Sequence, residues 1–303
     1  MSRPNLDMMF KYLRVKLEPQ KIAPDHGAMS VQELMGDFAL PISIRTINGL
    51  PMQAKQRIYR MLIPSALLTR FNINPLTWLG EAGEPLVILN ADPETSVVNL
   101  SVKDKADSPD VFFCIELADN AFNGIDLPLL LLNDPATARF KTDFDNDGNP
   151  TMFGTLRRNL AEEERAMQAG LAPGQMRSSL SASQMVFQQL DVFLLFLGHH
   201  AISLEPLTYA SAWVFERRGF AYMRGHKLME DIHSEFQPGG KLHKTLDAST
   251  PFRQPDQWRT VRGRAWGIHD GVLSAIDAKW DQLRMVKQVG QNAGVNTFPD
   301  AVY

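Results

Sequence analysis

Between Ser179 and Met223, helix and strand signals alternate on connections of only a few residues, and no other stretch constrains the chain as strongly. Ser179–Leu197 reads as an amphipathic helix. Val186, Leu190, Phe193 and Leu197 recur at intervals of three and four, with Phe187 and Leu194 beside them. Gly198 stands where a helix is commonly ended by a left-handed residue. AISLEPL (201–207) reads as a buried strand, Tyr209–Arg218 as a second helix stopped by Gly219, and Phe220–Met223 as another strand. Such an order on short links can bury its apolar faces only in layers. It predicts an α/β, mixed α+β fold: a central mixed sheet flanked by helices. Ala201–Leu207 is expected inside that sheet, parallel to the strand before the long helix, with Ile202 and Leu204 buried.

Upstream, Pro51 opens a helical pattern carried by Ala54, Ile58, Met61 and Leu62, which Pro64 ends or kinks before a short turn to about Phe71. Short β-like runs follow at 85–89, 96–102, 111–117, 127–132 and 138–144, each bounded by Asp, Asn, Gly or Pro, and predict an antiparallel meander. A charged helix is expected over 156–170. In DFDNDGNP, Asp143, Asp145, Asp147 and Gly148 imitate the start of a calcium loop. The twelfth position is Gly154 rather than Glu, so the segment reads as an Asx-rich turn.

A chain of 303 residues, 44% hydrophobic, can bury a large core, and its net charge of −3 excludes a polyanion-binding surface over the whole molecule. From Ser101 to Pro150 ten acidic side chains stand against four basic ones; from Glu205 to Arg264 ten basic ones stand against seven acidic. That polarity suits a small anionic ligand on the C-terminal half and falls short of a nucleic-acid footprint. The single cysteine, Cys114, lies in the apolar run VFFCIEL and reads as a buried hydrophobe in a reducing compartment. With no signal-peptide pattern and no apolar run near bilayer length, the expected setting is cytoplasmic, without membrane or nucleic-acid partners.

The string GHHAISLEPLTYASAWVFERRGFAYMRG resembles the cofactor-binding half of the GNAT superfamily of N-acetyltransferases, over about residues 171–224. The FERRGF element, Phe215 to Phe220, carries much of the likeness. The resemblance implies an acyl-coenzyme A ligand, acetyl-coenzyme A or another acyl-CoA, and acyl transfer to an amine by direct attack in a ternary complex. It also implies a pyrophosphate site in the loop before the long helix: Gln175, Met176, Arg177, Ser178, Ser179 and Leu180, with backbone amides and the Arg177 cation meeting phosphate. The family signature of Arg or Gln followed by x-x-Gly-x-Gly or Ala is absent from this loop. Where many members place a Tyr to protonate the departing thiolate this chain has Phe215, and where they place an Asn it has Thr208, with Tyr209 adjacent. Candidate catalytic groups are therefore Tyr209 and two possible general bases, Glu116 and Glu205. A GNAT-like module that binds without catalysing is the second reading.

A third is a metal-dependent enzyme. His226, Glu230 and His233, spaced by four and three, fall within roughly 60° on one helix face, as zinc or iron ligands would. Leu228, Met229, Ile232 and Phe236 centre about 115° away, so the trio sits on the flank and is expected to be uncoordinated. PGGKLHKTLD reads as a turn and short helix. WRTVRGRAWGIHDG reads as an irregular or strand-like basic segment, in which Arg259, Arg262 and Arg264 stack with Trp258 and Trp266 or line an anion site. The final stretch reads as a loose arm that frays or packs on a partner subunit, as in a homodimer. The expected division is a helical extension over 1–80, a GNAT-like core over 81–236 and a C-terminal extension over 237–303.

Overall fold

The computed structural model describes residues 40–303; the earlier part of the expected N-terminal extension lies outside them. The chain gathers into two compact units. One comprises residues 40–136 with Ser179–Ser203, the other Thr137–Ser178 with Leu204–Tyr303, so the two interleave along the chain. Among the described residues no helix is long and apolar enough to cross a membrane.

The first unit is built on β1 (Val87–Asn90), β2 (Val97–Val102), β3 (Phe113–Asp119) and β4 (Ile125–Leu132), an antiparallel meander in sequence order. The registers Leu89↔Leu100, Leu100↔Ile115 and Ile115↔Leu130 carry one apolar row across all four strands. Helix α1 (Ile44–Asn48) is capped twice: Ser43 accepts from Thr46 N–H at 3.0 Å, and the Asp119 carboxylate accepts from Ile44 and Arg45 N–H at 2.7 and 2.9 Å. A carboxylate at a helix N-terminus complements the free amides and the dipole, so α1 is pinned to the end of β3. Helix α2 (Met52–Tyr59) follows Pro51, and Lys55 reaches from it to Ala91 O at 2.7 Å. Pro64 separates it from α3 (Ser65–Arg70), as the sequence predicts.

Helix α5 (Ser183–Phe196) buries Val186, Phe187, Leu190, Phe193 and Leu194, the face read from its periodicity, and Phe193 meets Tyr59 at 6.3 Å. Gly198 takes φ +77° to end it; a Cβ there would lie 2.9 Å from Leu40 Cβ. The chain returns as β5 (Ala201–Leu204), parallel to β4 through Ile125↔Ile202 and Asp126↔Ser203. Ile202 and Leu204 are buried, as expected. α5 starts four residues later than the sequence suggested, because Ser181 is left-handed at φ +57° and interrupts the turn.

In the second unit the run at 138–144 is not a strand. Phe144 pairs with Pro150 as an isolated bridge, and Asp145 Oδ1 accepts from Asp147 and Asn149 N–H at 3.0 and 2.7 Å, which is the Asx turn. Helix α4 (Leu160–Gln168) starts at the Asn159 cap. Helix α6 (Tyr209–Arg217) has a Thr208–Ser211 capping box, and β6 (Ala221–Arg224) follows Gly219, whose φ of +89° lets Gln291 O approach a built Cβ to 2.9 Å. Helices α7 (His226–Glu235) and α8 (Lys241–Lys244) come next.

Two expectations fail here. WRTVRGRAWGIHDG is helical over α9 (Val261–His269), capped by Thr260 through Gly263 N–H at 2.9 Å. This helix is buried nearly all round, Arg264 included, so no amphipathic period shows in its sequence. Nor is the final stretch a loose arm. Arg284–Gln288 forms β7, antiparallel to β6; Thr297 bonds to Glu216, and Val302 O accepts from Val261 N–H at 2.8 Å.

Candidate functional site

In the first unit, β2 and β3 present a polar row inside an otherwise apolar sheet. Asn99 stands opposite Glu116, and Ser101 opposite Cys114. All four are buried. Ser101 Oγ donates to Asn99 Oδ1 at 2.9 Å; Asn99 Nδ2 donates to Glu116 Oε2 at 3.3 Å and approaches Cys114 Sγ at 3.4 Å. Burial pushes the Glu116 carboxyl above the usual carboxylate range, and the Asn99 hydrogen bond pulls partly back. Burial also pushes the Cys114 thiol up, to about 11, so it stays protonated at neutral pH.

Glu116 also marks where β4 changes. From Glu116↔Leu129 to Ala118↔Asp126 the register advances two residues on β3 and three on β4, a bulge around Leu127 and Pro128. Pro128 has no N–H to give to a ladder, which suits it to such a site. β5 pairs with β4 only up to Asp126↔Ser203, where Ser203 Oγ donates to Asp126 Oδ1. At the far end Leu180 N–H donates to Leu132 O at 3.2 Å and Ser179 bridges Asn133. Between them, residues 127–131 of β4 have no strand on this edge among the described residues, a length of roughly 16 Å. α5 begins just beyond Leu180 with no side-chain cap at Ala182.

The structure scatters the other candidates. The amides of Ser178 and Leu180 are spent within the protein, on Thr137 Oγ1 and Leu132 O, so the expected run of free amides over Met176–Leu180 is not present. Gln175 Oε1 accepts from Ala172 N–H, Met176 O from Phe140 N–H, and Arg177 donates to Thr137 O. Glu205, with 58% of its side chain exposed, stands 3.5 Å from Arg284, a solvated ion pair. Tyr209 is buried at the start of α6; its hydroxyl lies beside the Arg264 guanidinium outside hydrogen-bond geometry, and burial pushes it up to about 12. Phe215 packs on Phe220 at 5.4 Å. His226 and Glu230 face solvent 3.8 Å apart, whereas His233 turns to Arg264 at 3.3 Å, so the trio is split.

Sequence reasoning missed Asn99 and Ser101. Their signal was the alternation in VVNLSV, which puts both on the face shared by Cys114 and Glu116 of FCIELAD once the strands are paired. A second polar cluster, Arg158, Glu163, Arg253, His269 and Asp270, matches two guanidinium groups to two carboxylates and is structural in character. The chain matches no protein-family model, no curated protein and no solved structure.

Proposed function

We propose that this chain is an acyl-CoA-dependent N-acyltransferase of GNAT-like build, with its site in the first unit. The observation that carries the reading is the parting of β4 from its parallel neighbour β5 at the β4 bulge, one strand away from a buried carboxyl. A strand edge without a paired strand has backbone donors and acceptors that an extended ligand with amides of its own could meet. The pantetheine arm of coenzyme A is such a ligand, and the uncapped first turn of α5 lies at the end of that edge, where a phosphate would be favoured.

In the proposed reaction the amine nitrogen attacks the thioester carbonyl carbon. The C–N bond forms, the C–S bond breaks, and the amine proton passes to Glu116, a carboxylate that burial makes a stronger base than an exposed one. The thiolate takes its proton from solvent, since Phe215 has none to give and the Tyr209 hydroxyl is buried. Those two residues favour the second reading, a module that binds acyl-CoA without turnover. Calorimetry with coenzyme A and acetyl-coenzyme A, followed by an amine-acceptor screen, tests both. Binding with turnover supports the enzyme, and binding alone selects the module. No binding at millimolar ligand overturns the proposal.

A further inference from the structure

We infer that Asn99 is the positioning residue for Glu116, held in a single orientation by Ser101; as a role in acyl transfer this rests on the reading above. An asparagine amide can point either way, and its neighbours decide. Here the ionised carboxyl can only accept, which turns Nδ2 toward it, and the Ser101 hydroxyl, 3.3 Å from Cys114 Sγ, completes the orientation by donating to Oδ1 at 2.9 Å. Nδ2 then donates to Glu116 Oε2 at 3.3 Å, while the Cys114 thiol, close to the same amide, is a weak acceptor. The three strand positions are fixed by register: Asn99 lies directly across from Glu116, and Ser101 across from Cys114. Main-chain pairing thus sets the geometry of the side-chain chain Ser101 to Asn99 to Glu116.

The consequence is directional. Asn99 engages Oε2 and, among the described residues, Oε1 has no hydrogen bond, so one oxygen is anchored and the other is available to an incoming proton. Glu116 is 7% exposed, and burial by itself pushes the carboxyl up; the Asn99 donor counters this. Of the groups facing it, Asn99 and Ser101 on β2 and Leu129 on β4 are uncharged, and the Cys114 thiol on β3 stays protonated. Among the described residues no charged side chain shifts its titration: burial raises it, and the Asn99 amide is the polar group that lowers it. The bulge at Leu127–Pro128 begins just past Leu129, so the anchored carboxyl sits beside the length of β4 that β5 leaves uncovered.

The test is a titration of the Glu116 carboxyl by carbon NMR on glutamate-labelled full-length protein, assigned with Glu116→Gln. Asn99→Ala is expected to raise the Glu116 midpoint by about one pH unit, the size of one hydrogen bond to a charged group. Ser101→Ala keeps the donor but frees its orientation, and is expected to give a smaller rise in the same direction. It also serves if Asn99→Ala does not fold. A midpoint unchanged in both variants overturns the inference. With acetyl-coenzyme A and an accepted amine, the acid limb of the pH–rate profile should move up in parallel, which a merely structural asparagine would not cause. An NMR shift with an unmoved rate profile overturns the catalytic role and keeps the reaction. Wild-type protein without turnover overturns the reaction itself, and the role with it.

Discussion

Replacing Glu163 by Gln should destabilise the second unit strongly at neutral pH and much less in acid. Glu163 is 1% exposed on α4, with Arg158 Nε donating to it at 2.7 Å and His269 Nε2 at 3.4 Å, and Arg158 Nη2 2.5 Å away as an ion-pair contact. Burial pushes its carboxyl up, but the hydrogen bonds from His269 and Arg158 outweigh burial and hold it below the usual range. A buried ion pair that loses one partner typically costs 3–5 kcal/mol, because the other charge is left uncompensated. Arg158 keeps Asp270 at 2.9 Å and the face of Phe252 at 4.8 Å, and Gln retains one acceptor, so about 3 kcal/mol is expected. A depressed folded pKa gives stability that is fully present above the unfolded value near 4.3 and is lost as pH falls through the folded value. Urea unfolding of both proteins from pH 7 downward would therefore show a large difference in midpoint at pH 7, at similar slope, that shrinks as pH falls below the unfolded value near 4.3. A loss under about 1 kcal/mol at pH 7, or a difference that does not depend on pH, refutes the reasoning. Glu205→Gln is the contrast, since a solvated pair should change stability by no more than about 1 kcal/mol.

Gly198→Ala should cost about 1–2 kcal/mol by thermal unfolding, combining a left-handed φ of +77° with a Cβ 2.9 Å from Leu40. Thr208→Ala removes the capping box of α6 and should cost about 1 kcal/mol in the same assay. Cys114, fully buried with its thiol pushed up to about 11, should react with a disulfide reagent in folded protein at least a hundredfold more slowly than in urea at pH 8.

What the sequence disclosed and what it withheld divide along physical lines. The helix at 183–196 was legible because it buries one face, the strand at 201–204 because Ile202 and Leu204 alternate with Ser203, and both because Gly198 and Gly219 stand at left-handed turns that glycine enters at low cost. α9 was illegible for the opposite reason: it buries Arg264, whose guanidinium lies 3.5 Å from the centre of the Phe298 ring and donates to Trp258 O at 2.6 Å. A charge counted as surface in the sequence is core in the fold, because partners more than thirty residues away supply a face and the nearby backbone an acceptor. The candidate site shows the same split. Glu116 could be singled out as a carboxyl in an apolar strand, but nothing local says that Asn99, seventeen residues before it, lies opposite; strand register decides that. The phosphate loop failed through detail rather than type. The Pro-Gly turn and the helix after it are real, yet a left-handed Ser181 delays the helix, and two of the amides counted on are used by Thr137 and Leu132. Periodicity reports which face of an element is buried; it cannot report which backbone groups the tertiary structure has already claimed, and a binding site is made of the groups left over.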